Sequence, residues 1–253
     1  MDGDDRDDEA QSTRRLSRKK ARALAPGDEH YTAYVGPPTD YDLMGASQFR
    51  LLCALGLREH HDLLDFGCGS LRAGRLFIPY LNPGRYHGVE PNRWLIEDAV
   101  AREVGADQIR IKRPVFLHND DFRVDGFGKR FDFILAQSIL SHTARDLALR
   151  VLVRFGHVLK PTGLIACTFV HEWPGQPTQG DAGWVYPSCV DYRPQHVLDL
   201  IGEAGLVGRA LPWFHPRQTW YVAALAAWQL PSRAKDAHLT GAVLRDPSTM
   251  ASH

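Results

Sequence analysis

The stretch His61–Asn92, HDLLDFGCGSLRAGRLFIPYLNPGRYHGVEPN, reads as strand, glycine loop, helix, strand. Leu63, Leu64 and Phe66 form a short apolar run ended by glycines, the pattern of a strand buried in a parallel sheet, with Asp65 as the polar exception. Beyond Gly67-Cys68-Gly69 the spacing becomes helical, with Leu71, Leu76, Phe77 and Tyr80 available for one face until Asn82-Pro83-Gly84 stops it. A second strand over Tyr86–Val89 ends on Glu90, and Pro91-Asn92 open another helix.

Such a unit suits a nucleoside. Glycines let the backbone approach a ligand at the carboxyl end of the first strand. An acid at the end of the second strand can accept hydrogen bonds from both ribose hydroxyls. A dinucleotide fold asks for G-x-G-x-x-G and offers a helix N-terminus to a pyrophosphate. Here the third glycine position holds Arg72, and Gly74 is out of phase. A carboxylate, Asp65, precedes the turn instead; it suits a ligand bearing an ammonium group and opposes a pyrophosphate.

The loop Asp65-Phe66-Gly67-Cys68-Gly69 and the acidic turn Val89-Glu90-Pro91-Asn92 resemble the first two motifs of the S-adenosylmethionine-dependent methyltransferases with a Rossmann-like fold. The resemblance runs from about residue 62 to 228. It implies an α/β fold, a doubly wound and mostly parallel seven-stranded sheet, with an N-terminal helical cap. It also implies S-adenosylmethionine as cofactor, held by Asp65, Gly67, Cys68, Gly69, Glu90, Pro91 and Asn92.

Composition bounds the alternatives. The chain has 253 residues and a formal net charge of +0, which gives no general pull toward nucleic acid or an anionic membrane. Its four cysteines are scattered without a Cys-x-x-Cys pair, so neither a zinc site nor a disulfide framework is indicated and a cytoplasmic location fits. No apolar run reaches the length of a membrane span. The 24 arginines against 6 lysines point to a high-GC, bacterial genome.

Four regions are expected. Residues 1–25 pair an acidic run with a basic one and read as a solvated, disordered tail. Residues 26–60 are aromatic and apolar and read as a cap, with Tyr41-Asp42-Leu43-Met44-Gly45 a lid over the methionine end of the cofactor, as the resemblance implies, or else plain core; Tyr31 and Tyr34 are substrate-facing hydroxyls or wall. Residues 61–228 are the cofactor-binding domain, and 229–253 a peripheral tail.

Within the domain, a third strand at Val115–His118 leads into Asn119-Asp120-Asp121-Phe122. The resemblance implies that an acid here accepts from the adenine amino group while an apolar neighbour covers the ring; Asp121-Phe122 fits, and Asp120 stands in the adjacent register. The fourth strand, Phe131–Ala136, runs into Gln137-Ser138-Ile139-Leu140-Ser141-His142, where carboxyl ends of central strands line the crevice. Gln137 and Ser138 are expected at the cofactor. His142 is the first choice for a base that takes a proton from the methyl acceptor, because histidine titrates near neutrality. His171 and Glu172 stand in reserve on the long loop His171–Tyr192, whose Trp173, Trp184 and Tyr186 offer an apolar or sugar-stacking wall. Lys160-Pro161-Thr162-Gly163 reads as a turn before a fifth strand at Leu164–Val170, and Trp213-Phe214-His215-Pro216-Arg217 as a stretch that reaches the crevice, its His215 a turn residue or a substrate ligand. His171, Glu172 and Asp191 show no diagnostic metal-ligand spacing, so no residue is assigned to a metal, and a divalent-metal requirement stays open.

The expectation is therefore methyl transfer to a small-molecule acceptor, a hydroxyl of a saccharide or specialised metabolite, with no nucleic acid or membrane partner. The Asn/Asp-Pro-Pro-Tyr/Phe motif of amino-group methylation is absent after the fourth strand. Methylation at nitrogen or carbon, a protein acceptor, electrostatic catalysis by the sulfonium without transfer, and a nicotinamide site remain open, as does the oligomeric state.

Overall fold

The computed structural model describes residues 16–171 and 183–240. Seven strands form one sheet: β1 (Leu63–Phe66), β2 (Tyr86–Val89), β3 (Val115–Leu117), β4 (Phe131–Ala136), β5 (Leu159–Phe169), β6 (Val207–Leu211) and β7 (Thr219–Ala224). Their spatial order is β3-β2-β1-β4-β5-β7-β6, with β7 antiparallel to both its neighbours and the rest parallel. This is the expected doubly wound sheet. The order reverses between β1 and β4, and there the crossover helices leave a crevice at the strands' carboxyl ends.

Alternation along β1 and β4 divides the core. Leu64, Phe66, Ile134 and Ala136 pack on one face, under α6 (Arg145–Val158) and α7 (Pro194–Glu203). Leu63, Phe133 and Leu135 pack on the other, under α2 (Tyr41–Ala54) and α3 (Gly74–Tyr80). Burial on both faces explains why these strands read as near-continuous apolar runs. Asp65 falls on the α2 side, one layer away from Phe66.

Several elements differ from the sequence reading. The helix after the glycine loop starts only at Gly74, because Leu71 takes a left-handed conformation, φ 53°, and delays it. β5 begins at Leu159, so Lys160–Gly163 lies within a strand: Phe131 pairs with Leu159 and Phe133 with Leu164, and the surplus residues bulge. The helix opened by Pro91-Asn92 runs as expected, α4 (Arg93–Ala99) continuing through a π-turn to Val104, but a further helix, α5 (Ala106–Lys112), follows Gly105. At the N-terminus, α1 (Arg18–Ala23) forms inside the stretch read as a solvated tail, capped by Ser17, whose Oγ accepts from the Lys20 amide at 3.3 Å. At the other end, residues 229–240 are anchored to β6 by the Arg209–Asp236 ion pair at 2.7 Å and by buried Leu239.

Candidate active site

The crevice is a cavity of about 550 Å3, within the usual range of about 300–1,000 Å3 for small-molecule sites. Its floor is the glycine loop. Gly67 and Gly69 have φ of 73° and 53°, and a Cβ on either would stand 2.1 Å from Ile139 Cδ1 or 2.5 Å from Val35 Cγ1. The backbone can approach a ligand there only while both residues remain glycine.

Glu90 closes one side. Its Oε2 accepts from the Gly69 amide at 3.1 Å, and its Oε1 accepts from the amide and the side-chain nitrogen of Asn92, both at 2.9 Å. Three donors occupy about four lone-pair sites, so the carboxylate is tied to the loop and keeps capacity for a hydroxyl. Burial raises its pKa against those hydrogen bonds. Pro91 and Asn92 line the same wall.

Asn119, Asp120 and Phe122 follow along the lining. Asp121 turns outward, its Oδ1 accepting from the Arg123 amide at 3.1 Å, so the acid facing the crevice is Asp120. Phe122 and Ser138 hold left-handed backbones, φ 61° and 57°, strain of the kind found where a side chain is aimed at a ligand. Gln137 and Ser138 line the cavity at the end of β4, with the Ser138 amide donating to Thr168 Oγ1 at 2.8 Å.

His142 sits on the far wall. It is buried, and its Nδ1 donates to the Ser188 carbonyl at 2.6 Å, which puts the ring proton on Nδ1 and leaves Nε2 as a lone pair without a partner among the described residues. Tyr186 meets the ring edge-on with centroids 5.0 Å apart, and Trp184 at 5.6 Å. Burial lowers the pKa of His142. A neutral imidazole with a fixed tautomer can accept a proton at Nε2.

Other expected residues are placed elsewhere. Asp65 is outside the crevice lining; it borders a side chamber of about 20 Å3 that adjoins the crevice, together with Gln48, Cys68, Arg72 and Gln137. Its Oδ2 accepts from Tyr86 Oη at 2.7 Å, and burial pushes its pKa up to about 6. Cys68 is buried beside it. His171 lies outside the lining: Nδ1 faces the Tyr192 carbonyl and Nε2 the Tyr221 hydroxyl at 3.0 Å, so both ring nitrogens are engaged. Glu172 and Trp173 lie outside the described residues. Met44 is buried within α2 and does not line the cavity. The segment that covers it is Tyr34-Val35-Gly36-Pro37. α2 cannot serve as that lid because it packs directly on the loop: a Cβ on Gly45 would meet the Arg72 carbonyl oxygen at 2.4 Å.

Arg72, Arg217, Gln218 and Cys189 also line the crevice. Arg72 entered the sequence reading only as a missing glycine. Arg217 ends the stretch expected to reach the crevice, whereas Cys189 and Gln218 sit in segments without periodicity that reach it through tertiary packing. Among the described residues no group of three or more His, Cys, Asp or Glu is placed to hold a metal ion, and no helix is long and apolar enough to cross a membrane.

Residues 64–165 match the protein family described as a methyltransferase domain. The sheet order and the solved structures that match it show the Rossmann-like fold of the S-adenosylmethionine-dependent methyltransferases. Solved structures show the same fold at low identity. The magnesium protoporphyrin IX methyltransferase from Synechocystis PCC 6803 with bound SAM is 12% identical, with a TM-score of 0.55 over 75% of this chain and 81% of that one. The CcbJ methyltransferase from Streptomyces caelestis is 15% identical, with a TM-score of 0.57 over 76% and 97%. The glycopeptide N-methyltransferase MtfA is 14% identical, with a TM-score of 0.56 over 72% and 94%. None of the curated proteins compared with the chain matches it.

Proposed function

We propose that the chain is a methyltransferase that binds S-adenosylmethionine in the crevice and transfers its methyl group to a hydroxyl of a small molecule, with His142 as the base. The observation that carries the reading is the pairing within one cavity of the Glu90-tethered glycine loop with a histidine whose only free ring nitrogen is a lone pair. The residues fit the cofactor. Glu90 retains acceptor capacity for ribose hydroxyls, Asp120 offers an acceptor to the adenine amino group, and Phe122 and Ile139 supply apolar cover on the ring. Asp65, Cys68 and Gln137 border the glycine loop from beneath, and Pro91, Asn92 and Ser138 complete the wall.

The bound cofactor supplies an electrophilic methyl on a sulfonium. The chain's work is alignment and proton removal. Ser188 holds the imidazole in the tautomer that presents Nε2, while Trp184 and Tyr186 exclude water from its faces and form an apolar wall against which a sugar ring or a planar acceptor can lie. An acceptor hydroxyl at Nε2 loses its proton as the oxygen is alkylated, and the imidazolium then releases that proton to solvent.

The test is a screen of hydroxylated metabolites with cofactor labelled in the methyl group, read as mass gain of the acceptor, followed by His142→Ala and His142→Gln. Label on an acceptor oxygen, lost in both variants while cofactor affinity is kept, supports the assignment. Label transferred equally well by the variants removes His142 from the chemistry, and label on nitrogen or carbon overturns the hydroxyl reading.

A further inference from the structure

The charged side chains of the crevice are divided between its two ends. Glu90 and Asp120, its only carboxylates among the described residues, follow β2 and β3, on the side assigned above to the nucleoside. Arg217 stands just before β7, whose start lies beside the end of β5 because the two strands are antiparallel. The sheet order puts β7 four strand spacings from β2, roughly 19 Å at the usual interstrand distance. In the reading above that end receives the methyl acceptor: Trp184 and Tyr186 stack there with ring planes 22° apart, beside His142. The charge of Arg217 reaches the same place. Burial raises the pKa of the Cys189 thiol and Arg217 works against that rise, while the Cys189 sulfur lies 3.7 Å from His142 Nδ1.

The guanidinium is fixed in place without being used up. Its Nη1 donates to Asp40 Oδ2 at 3.1 Å, a pair with both side chains partly exposed and hence of small energy. Asp40 is outside the lining, so the pair shows the crevice its cation. A guanidinium carries five N–H donors, and Nε and Nη2 have no hydrogen-bond partner among the described residues. Beside it, Gln218 donates from Nε2 to Ser138 Oγ at 3.0 Å and keeps a buried Oε1 without a partner. Free donors next to an orphaned buried acceptor call for a polar ligand, because unpaired buried polar groups are costly. The backbone offers that ligand no further donors: the amides of Arg217 and Gln218 both donate to His215 Nδ1, at 3.1 and 3.0 Å. One cation without backbone amides suits a singly charged anion, and the planar fork of a guanidinium fits a carboxylate.

Resting on the acceptor reading above, we propose that the methyl acceptor is a hydroxy acid and that Arg217 selects it by receiving its carboxylate. Gln218 Oε1 takes a second donor of the same molecule, the flat body lies against Trp184 and Tyr186, and the hydroxyl meets His142. The methyl's bond to sulfur breaks as its bond to the hydroxyl oxygen forms, the hydroxyl proton passes to His142 Nε2, and the product is the methyl ether of the acid. Arg217 takes no part in those bond changes; it determines which acceptors are held.

The experiment uses matched pairs of hydroxyaryl acids and their amides, 4-hydroxybenzoate with 4-hydroxybenzamide and 4-hydroxyphenylacetate with its amide, which differ in charge and hardly in shape. Calorimetric affinities are measured on protein saturated with S-adenosylhomocysteine, for the wild type, Arg217→Gln and Asp40→Asn, and transfer of labelled methyl from S-adenosylmethionine is read by mass. The expected result is roughly tenfold or more tighter binding of an acid than of its amide. That preference should fall below twofold in Arg217→Gln and be kept or increased in Asp40→Asn, where the competing carboxylate is gone. An arginine that only clasps the β6–β7 connection to the N-terminal cover would lose acid and amide alike in both variants, and that result overturns the proposal. A wild type that binds neither member of either pair, or binds both members equally, overturns it too. Label on the oxygen of the amides as readily as on that of the acids keeps the hydroxyl reading and overturns this one. A preference for acids that depends on Arg217, with no label on an acceptor oxygen, supports the carboxylate site and overturns the hydroxyl reading alone.

Discussion

Glu90 and Asp65 show how burial gives two carboxylates different work. Glu90 is surrounded by donors, and Glu90→Ala should weaken S-adenosylhomocysteine by about 1–3 kcal/mol through lost charge-assisted hydrogen bonds, read by titration. Asp65 has one donor, Tyr86, and its folded pKa of about 6 stands above the unfolded value of 3.8. A carboxyl that binds its proton more tightly when folded contributes stability below the unfolded pKa and loses it as pH rises toward the folded one. The ligand-free protein should therefore lose up to ~3 kcal/mol between about pH 4 and 6 on account of this residue, two units at ~1.4 kcal/mol each. Asp65→Asn should be the more stable protein in urea unfolding at pH 7 and lose that advantage at pH 4, while binding the cofactor less well. Equal stabilities at pH 7 would contradict the argument. For His142 the sign runs the other way: burial lowers its pKa, so the acid limb of kcat/KM should have its midpoint below the ordinary histidine value of ~6.5, with a flat rate above neutrality. His142→Ala should slow turnover by about 10^2–10^4-fold. Gly67, Gly69 and Glu90 were legible because their roles depend on local spacing. Arg72 was legible only as a deviation, since nothing in a single sequence says that a guanidinium will be buried against Val35.

At the scale of elements, the glycine loop is the least forgiving piece of the fold. Gly67→Ala combines a left-handed φ of 73° with a Cβ 2.1 Å from Ile139 Cδ1, a contact that must push Ile139 out of its place in the crevice lining. It should cost about 2 kcal/mol or more in unfolding free energy and abolish cofactor binding. Wild-type affinity in the Gly67→Ala variant would contradict the close-approach argument. The strands were readable because both faces are buried, and a short apolar run bounded by turn residues is the pattern that such burial demands. The start of β5 was not, because Lys160-Pro161-Thr162-Gly163 carries turn chemistry yet is held in the ladder by Phe131 on its neighbour. The lid is misplaced within the cap for a related reason. Met44 and Tyr34 are both apolar residues near the site, and only the packing of Gly45 on the Arg72 carbonyl settles that α2 is core while Tyr34–Pro37 is cover.

Across the whole molecule, stability and binding are concentrated at opposite ends of the sheet. At the amino ends of the strands, buried Asp62 gathers Arg85, Lys129 and Lys160 at 2.8, 2.6 and 3.0 Å, and Lys160 also reaches Asp132 at 2.6 Å. Burial alone would raise the pKa of Asp62, but the two lysines outweigh it and hold it below its usual value. The stability it contributes is present at neutral pH and is lost as pH falls through that lowered pKa. Asp62→Ala should cost about 1–3 kcal/mol, less than the ~3–5 kcal/mol of a fully buried pair, because the three cations are partly exposed and rehydrate. Cofactor affinity should be unchanged, since the hub faces away from the crevice. At the carboxyl ends the site gathers residues from 26 to 218, and that reach explains why its first half was legible from motifs while Cys189 and Gln218 were not.

The central claim is that this crevice is built for S-adenosylmethionine and not for a dinucleotide. Calorimetric titration of the purified protein with S-adenosylhomocysteine and with NAD, repeated on Glu90→Ala, tests it most directly. The account predicts micromolar binding of the first, none of the second, and a loss of about 5- to 150-fold in the variant, the fold-change of that 1–3 kcal/mol range. Binding of NAD with none of S-adenosylhomocysteine, or an affinity indifferent to Glu90, would contradict it.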